Sequence, residues 1–452
     1  MQNRVLQTDT YNRTMDHIVG PEGLTPATYA LQMRRSPHGY LIAMGMRPML
    51  ETFARPITQA EVDFAADYYE NHANVPYFNR AMWQTIVDKY HGYIPMEVDS
   101  VPEGTALLPG DPVFRITGPS EMVAHFEPRL HRIFYPSMVA TTSHVIGREF
   151  PGRFIEVGKR GAITEEMHLI ATRAMLAGGG INLTSNDAAA AVHKDLKDVG
   201  TMGHRYVQSL SIQEGFTEID AFKQAIDACK VTYLLIDLID SYRGIDIAIK
   251  LKEEYRHTDK FIAIRLDSGA VDQQTIYTLK ELAKRGFLDP NRDKVVVEGI
   301  DSIDDMRAID ALVRSNGFDP AKNVLYGAGG LLLSHRTSRS DASTGFKLTQ
   351  FGDHPTMKFS DSPGKESVPG KPTVFNGAGG RVIGQAGERI GKDLFVPAYR
   401  YPGNILLTDD VASIRGQVDR SFQEISRRVG KGATPHSPAT RAMEEVIKTH
   451  YE

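Results

Sequence analysis

The chain has 452 residues, 41% of them hydrophobic, which suits a globular protein with more than one core and makes two domains the expected organisation. Its 52 Lys and Arg nearly balance 56 Asp and Glu, so no global field draws it to nucleic acid or an anionic membrane, and any anion site has to be built locally. The single cysteine, Cys229, excludes an intrachain disulfide and zinc sites built on several thiolates, and points to a reducing cytoplasm.

The N-terminal stretch MQNRVLQTDTYNRTMDH lacks the apolar core of a signal peptide. The most apolar run, VTYLLIDLID, is broken by Asp237 far short of a bilayer span, so a soluble protein is expected. Residues 1–150 mix strand-like and helical segments, and VPEGTALLPGDPVFRITGP reads as a β-rich meander turning at 102–104 and 109–112.

From about residue 150 to 335 a rhythm sets in: a short apolar or β-branched run, a cluster of small and polar residues, then a longer amphipathic stretch. RFIEVG (153–158), GINLTS (180–185), KDVGTM (197–202), VTYLLID (231–237), KFIAIRLD (260–267), KVVVEGI (294–300) and NVLYGAG (323–329) read as strands. Intervening segments such as EEMHLIATRAMLAG and SIDDMRAIDALVRSNG carry apolar residues at helical spacing. Seven such units predict an irregularly closed βα barrel, with an open doubly wound sheet as the structural alternative.

The polar residues collect at or just past the strands' C-terminal ends: Glu156 with Lys159 and Arg160; Thr184 with Ser185 and Asn186; Thr201 with His204; Asp237 with Asp240; Arg265 with Asp267; Glu298; and Gly327, Gly329 and Gly330. In a barrel those ends surround one mouth, where active sites are built. Taken singly, each has a plainer reading: a lone histidine is most often an ordinary hydrogen-bonded residue, KRG a solvated turn, Asp267–Ser268–Gly269 an Asx turn, and a glycine cluster a loop. Their shared position argues for a pocket. Glycines at 327–330 let backbone N–H groups approach a phosphate, with Arg160, Arg265, Arg336 and Arg339 as candidate cations. Asp237, Asp240 and Asp267 suit ribose hydroxyls and a Mg²⁺ shared with phosphate oxygens. The implied ligand is a phosphorylated sugar diphosphate.

These residues fall in motifs that resemble nicotinate phosphoribosyltransferases: LQTDTYNRTM (6–15), RRSPHGYLIAMG (34–45), PEGTALLPGDPVFRITGP (102–119), TSN (184–186), GTMGHRYVQ (200–208), LLIDLIDSYRGI (234–245), IRLDSG (264–269) and MKFSDSPGKESVPGK (357–371). The resemblance runs in order from about residue 6 to 375. It implies a type II phosphoribosyltransferase fold, α/β, with an irregular βα barrel (146–340) and a discontinuous α/β sandwich domain formed by residues 1–145 and 341–452, usually working as a homodimer with shared active sites. The implied reaction joins nicotinate to the phosphoribosyl group of PRPP, commonly coupled to ATP through a phosphohistidine, with Mg²⁺.

Residue by residue, the resemblance implies that His204 is the phosphorylated histidine and that Tyr11 stacks on the pyridine ring across a dimer interface. It implies further that Arg160 pairs with the nicotinate carboxylate and diphosphate, and that Arg265 and Asp267 bind diphosphate and ribose, Asp267 sharing Mg²⁺ with the substrate diphosphate. Gly299 with Gly327, Gly329 and Gly330 would cradle the 5′-phosphate, while Thr184, Ser185 and Asp237 complete the substrate pocket. The nicotinamide-specific relative carries aspartate where Ser185 stands, so nicotinate is the expected base and nicotinamide the alternative. Three departures stand out: Lys159 replaces a family arginine, Ala270 replaces an aspartate after LDSG, and the phosphate loop reads GAGG rather than ending in threonine. They leave a non-catalytic PRPP or nucleotide sensor as one rival and a lyase with Lys159 as Schiff-base nucleophile as another. Residues 411–429 read as a helix, and 430–440 as a linker to a final helix.

Overall fold

The computed structural model describes residues 3–200, 202–213, 215–361 and 364–451, with the side chains of 21, 22 and 211 outside the description. Thr201, grouped above with His204, therefore lies outside the described residues, as do Ser362 and Pro363 of the long 357–371 motif. The chain divides into two compact units, one formed by Met1–Thr142 with Arg336–Glu452 and the other by Ser143–His335.

The first unit is built on a seven-stranded sheet in the order 354–355, 344–351, 26–33, 112–119, 97–100, 396–400, 404–405, with antiparallel pairing throughout. Strand Pro26–Met33 is internal, pairing Leu31 with Phe114 on one side and with Phe346 on the other. Chain segments more than two hundred residues apart thus share one sheet. Leu31, Met33, Trp83, Val98, Phe114, Ile116 and Tyr399 are buried in its core. The tail joins this unit: helix Val411–Ile425 buries Ile414, Val418 and Ile425 at helical spacing, and Ser421 Oγ accepts the Ala106 N–H at 2.8 Å.

The second unit carries seven parallel strands: β1 (Phe154–Glu156), β2 (Leu183–Thr184), β3 (Lys197–Asp198), β4 (Val231–Leu235), β5 (Phe261–Leu266), β6 (Val295–Val297) and β7 (Val324–Ala328). Their order is β3-β2-β1-β7-β6-β5-β4. The seven predicted strands are present, several shorter than the sequence suggested, and among the described residues β3 and β4 do not pair. The sheet is a parallel half-barrel rather than a fully hydrogen-bonded cylinder.

Strand periodicity explains where the polar groups gather. Ile155, Ala263, Val296 and Leu325, from four adjacent strands, form one buried apolar cluster. Side chains alternate faces along a strand, so the residue two positions on continues the same face: Val157, Arg265, Glu298 and Gly327. On three of the four strands the inward layer changes from apolar to charged or small at the pleat where the strand ends: Arg265 and Gly327 one residue before that end, Glu298 one residue past it.

Candidate functional site

At that pleat Arg265 Nη2 lies 2.7 Å from Glu298 Oε2 and 3.2 Å from Asp267 Oδ1, while its Nη1 donates to Met202 O at 3.1 Å. Burial, partly offset by Arg265, pushes the Glu298 carboxyl up to about 7. A Cβ on Gly327 would lie within 3 Å of the Glu298 side chain, so glycine at 327 makes room for that carboxylate.

Glu298 then lines a cavity of about 340 Å³ with Val157, Arg160, Gly299, Asp301 and the 327–330 loop. Gly299 has φ +69°, and a Cβ there would stand 2.8 Å from Asp267 O. Glycine is thus required twice over, by backbone conformation and by close approach. The Arg160 side chain reaches this cavity from the exposed turn Lys159–Gly161, whereas Lys159 pairs with Glu165 at 3.3 Å and does not line it.

A second constellation follows β4 and β5. His204 opens helix His204–Ser211, and its Nε2 lies 3.0 Å from Asp237 Oδ1. The other oxygen, Oδ2, accepts the Ser268 hydroxyl at 2.6 Å. The Asp237 side chain is 5% exposed and that of His204 40%, so a sheltered carboxylate holds an imidazole open to solvent. One ligand atom from each of His204, Asp237 and Asp267 falls within 4.8 Å of the others. Asp240 has a different duty: it caps helix Ser241–Glu254, accepting the Arg243 N–H at 2.8 Å.

Of the residues singled out in the sequence, Arg160, Gly299, Gly327, Gly329 and Gly330 line the cavity, with Arg265 and Asp267 joined to its wall through Glu298. His204 and Asp237 form the neighbouring pair. Ser185 is exposed at the end of β2, but Thr184 is fully buried, donating to Glu156 Oε2 at 2.6 Å and accepting the Asn186 N–H at 3.1 Å. Tyr11, on helix Thr10–Val19 of the first unit, is 49% exposed, and its hydroxyl donates to Glu127 Oε2 at 2.7 Å. Arg336 and Arg339 also belong to the first unit. Glu298, grouped in the sequence with the strand-end residues but given no role there, lines the cavity, and Ser268 is an addition that binds Asp237.

Comparison with known proteins places this geometry. Residues 3–98 match the family model described as nicotinamide phosphoribosyltransferase, N-terminal domain. A nicotinate phosphoribosyltransferase of Mycobacterium tuberculosis is 27% identical over 67% of this chain and 62% of its own length, so the match spans less than two thirds of that relative. A nicotinamide phosphoribosyltransferase of Xanthomonas campestris is 25% identical over 74% of this chain and 78% of its own. The crystal structure of human nicotinic acid phosphoribosyltransferase superposes with TM-score 0.71 and 19% identity, covering 98% of this chain and 100% of that one. Half-barrel and sheet unit together define the type II phosphoribosyltransferase fold. The sequence matches agree with the architecture: the chain is similar to nicotinate and nicotinamide phosphoribosyltransferases.

Proposed function

We propose that this protein transfers the 5-phosphoribosyl group of PRPP to nicotinate, giving nicotinate mononucleotide and pyrophosphate, with ATP hydrolysis coupled through a phosphohistidine at His204. The observation that carries the reading is one strand-end face holding both the glycine-lined cavity with Arg160 and the His204–Asp237 pair. Phosphate suits the cavity's 299 and 327–330 backbone, and a planar guanidinium at Arg160 suits a carboxylate or diphosphate.

With Nε2 of His204 held by Asp237, Nδ1 is the nitrogen left to act as nucleophile on a nucleotide's terminal phosphate. Asp237 stabilises the imidazolium character that develops, and Ser268 fixes the carboxylate's orientation. Mg²⁺ fits the carboxylate pair of Asp237 and Asp267, with Asp267 as the ligand shared with diphosphate; bound there it would neutralise charge on the departing pyrophosphate. Arg265 steadies Asp267 and Glu298, two acceptors suited to ribose hydroxyls. Transfer at the anomeric carbon passes through an oxocarbenium-like state, so the chain's main task is to orient the base behind that carbon.

Ser185 favours nicotinate, because a hydroxyl at the end of β2, the strand beside the one that leads to Arg160, accepts an anionic base that an aspartate would repel. Similarity to nicotinamide enzymes is the one observation on the other side, and the family-model match at 3–98 includes neither Arg160 nor Ser185. Lys159 is committed to Glu165, which speaks against the Schiff-base reading.

The test is product formation from PRPP and Mg²⁺ with nicotinate or nicotinamide, each with and without ATP, in the wild type and in His204→Ala. Nicotinate mononucleotide is the expected product, with ATP stimulation lost in the variant while slow ATP-independent transfer persists. Faster turnover of nicotinamide would reverse the base assignment. Equal ATP stimulation in both proteins would remove the phosphohistidine, and PRPP binding without turnover would make the protein a sensor.

A further inference from the structure

Beneath Arg160 and Ser185 lies a closed polar network that the reaction as described does not use. Glu156, His168, Thr184 and Asn186 are all buried, with His168 1% exposed and Glu156 and Asn186 fully enclosed. His168 stands in the first turn of helix Glu165–Gly179, and Asn186 is the N-cap of Asp187–Val192. Asn186 Oδ1 accepts the N–H groups of Ala188 and Ala189 at 3.0 and 3.3 Å, which fixes the amide's orientation. Its Nδ2 therefore faces His168 Nδ1, at 2.5 Å, as a donor.

Nδ1 must accept, so the imidazole proton resides on Nε2, where it donates to Glu156 Oε1 at 3.2 Å. Glu156 also accepts the Gly158 N–H on Oε1 and the Thr184 hydroxyl on Oε2. Any other protonation state of His168 would set an N–H against the Asn186 N–H. The network runs in one direction, from Asn186 through His168 to Glu156, and every link in it is satisfied.

Its outer ends hold two loops. The Gly158 N–H belongs to the turn that carries Arg160, and the Ser185 N–H donates to Glu156 O at 2.8 Å, tying down the loop that carries Ser185. We propose that His168, as the neutral Nε2–H tautomer, is a positioning residue that sets Arg160 and Ser185 at the separation a pyridine carboxylate requires. The proposal rests on the nicotinate reading above. A group displaced by about half an ångström no longer presents productive geometry, so the network acts on base binding without touching the base.

The experiment compares wild type with His168→Phe, His168→Gln and Asn186→Asp, reading kcat and the KM values for nicotinate and PRPP separately, with a melting curve for each protein. Histidine ¹⁵N spectra of the wild type report the tautomer. A protonated Nε2 with bare Nδ1 is expected, together with a nicotinate KM raised about tenfold in His168→Phe, roughly the loss of one buried charge-assisted hydrogen bond. The PRPP KM should rise clearly less than the nicotinate KM, because the 299 and 327–330 backbone follows β6 and β7 and only Arg160 is shared between the two ligands. His168→Gln, which keeps a donor toward Glu156, should restore most of the difference. Asn186→Asp, which keeps the helix cap but calls for an N–H on Nδ1, should abolish the neutral Nε2–H tautomer in its own ¹⁵N spectrum, a readout that stands even if His168→Phe fails to fold.

An unchanged nicotinate KM in a folded variant, an Nδ1–H or mixed tautomer, or equal changes in both KM values that track melting temperature would overturn the proposal. Wild type inactive with nicotinate would defeat the functional reading instead. The ¹⁵N spectrum and amide exchange at Gly158 and Ser185 would then still decide whether His168 orders the two loops.

Discussion

Single residues show how burial and partnership decide what a polar side chain does. Asp16 and Glu121, both in the first unit, are nearly buried; burial raises each carboxyl above its ordinary value, and the Asp16 charge raises Glu121 further. Glu121 Oε2 is buried with no hydrogen-bond partner. An acid whose pKa is raised on folding binds protons more tightly in the native state, so the stability this supplies is fully present below the unfolded value and is lost as pH rises through the folded one. Glu121→Gln should therefore melt higher than wild type at pH 8, by about 2 °C, with the advantage shrinking toward pH 4. Melting curves across that range check it, and a constant or growing advantage at low pH would refute it. Little of this was legible beforehand. His168 lies in EEMHLIATRAM among helix formers, where no spacing separates a relay from an ordinary helical position, and its partners come from two other elements. Arg265 and Asp267 were legible because strand phase alone put them at the mouth.

At the level of elements, helix beginnings explain one apparent active-site acid, Asp240, by a duty that other polar residues share. Asp240, Ser302 and Asp319 accept N–H groups from the first turns of their helices. Ala270 occupies the corresponding N-cap of Val271–Lys284 and makes no side-chain cap. An aspartate at 270 would supply the side-chain cap that Ala270 lacks. Ala270→Asp should stabilise the protein by about 1 kcal/mol, seen as a higher melting temperature. A lower one would mean that charge repulsion with Asp267 outweighs the cap. Period-two strands and period-3.6 helices made the half-barrel readable, while the shortness of β2 and β3 was not, because two-residue strands leave no periodic signature.

For the whole molecule, the expectation carried from the sequence is a homodimer in which Tyr11 serves the partner's pocket. Tyr11, Met15 and Ile18 are exposed on one helix at spacings that share a face, as a covered surface would require. Mixing Tyr11→Ala and His204→Ala proteins under exchange conditions should restore up to about a quarter of the wild-type ATP-stimulated activity, because random pairing leaves one intact site in half the dimers. No recovery, despite exchange shown by size or labelling, would mean that each chain completes its own site. No helix among the described residues is long and apolar enough to cross a membrane.

Strand Pro26–Met33, hydrogen-bonded on both sides, carries a consequence for the order in which the protein is made. Its partner Pro112–Pro119 leaves the ribosome early, but Thr344–Phe351 follows only after the entire half-barrel unit has been translated. At ordinary elongation rates the nascent sheet has an unsatisfied edge for on the order of tens of seconds. The barrel unit, contiguous in sequence, has no such wait. Newborn chains therefore pass through an interval in which a finished barrel trails an open sheet, and that edge is the surface a chaperone would shield and an aggregating neighbour would extend.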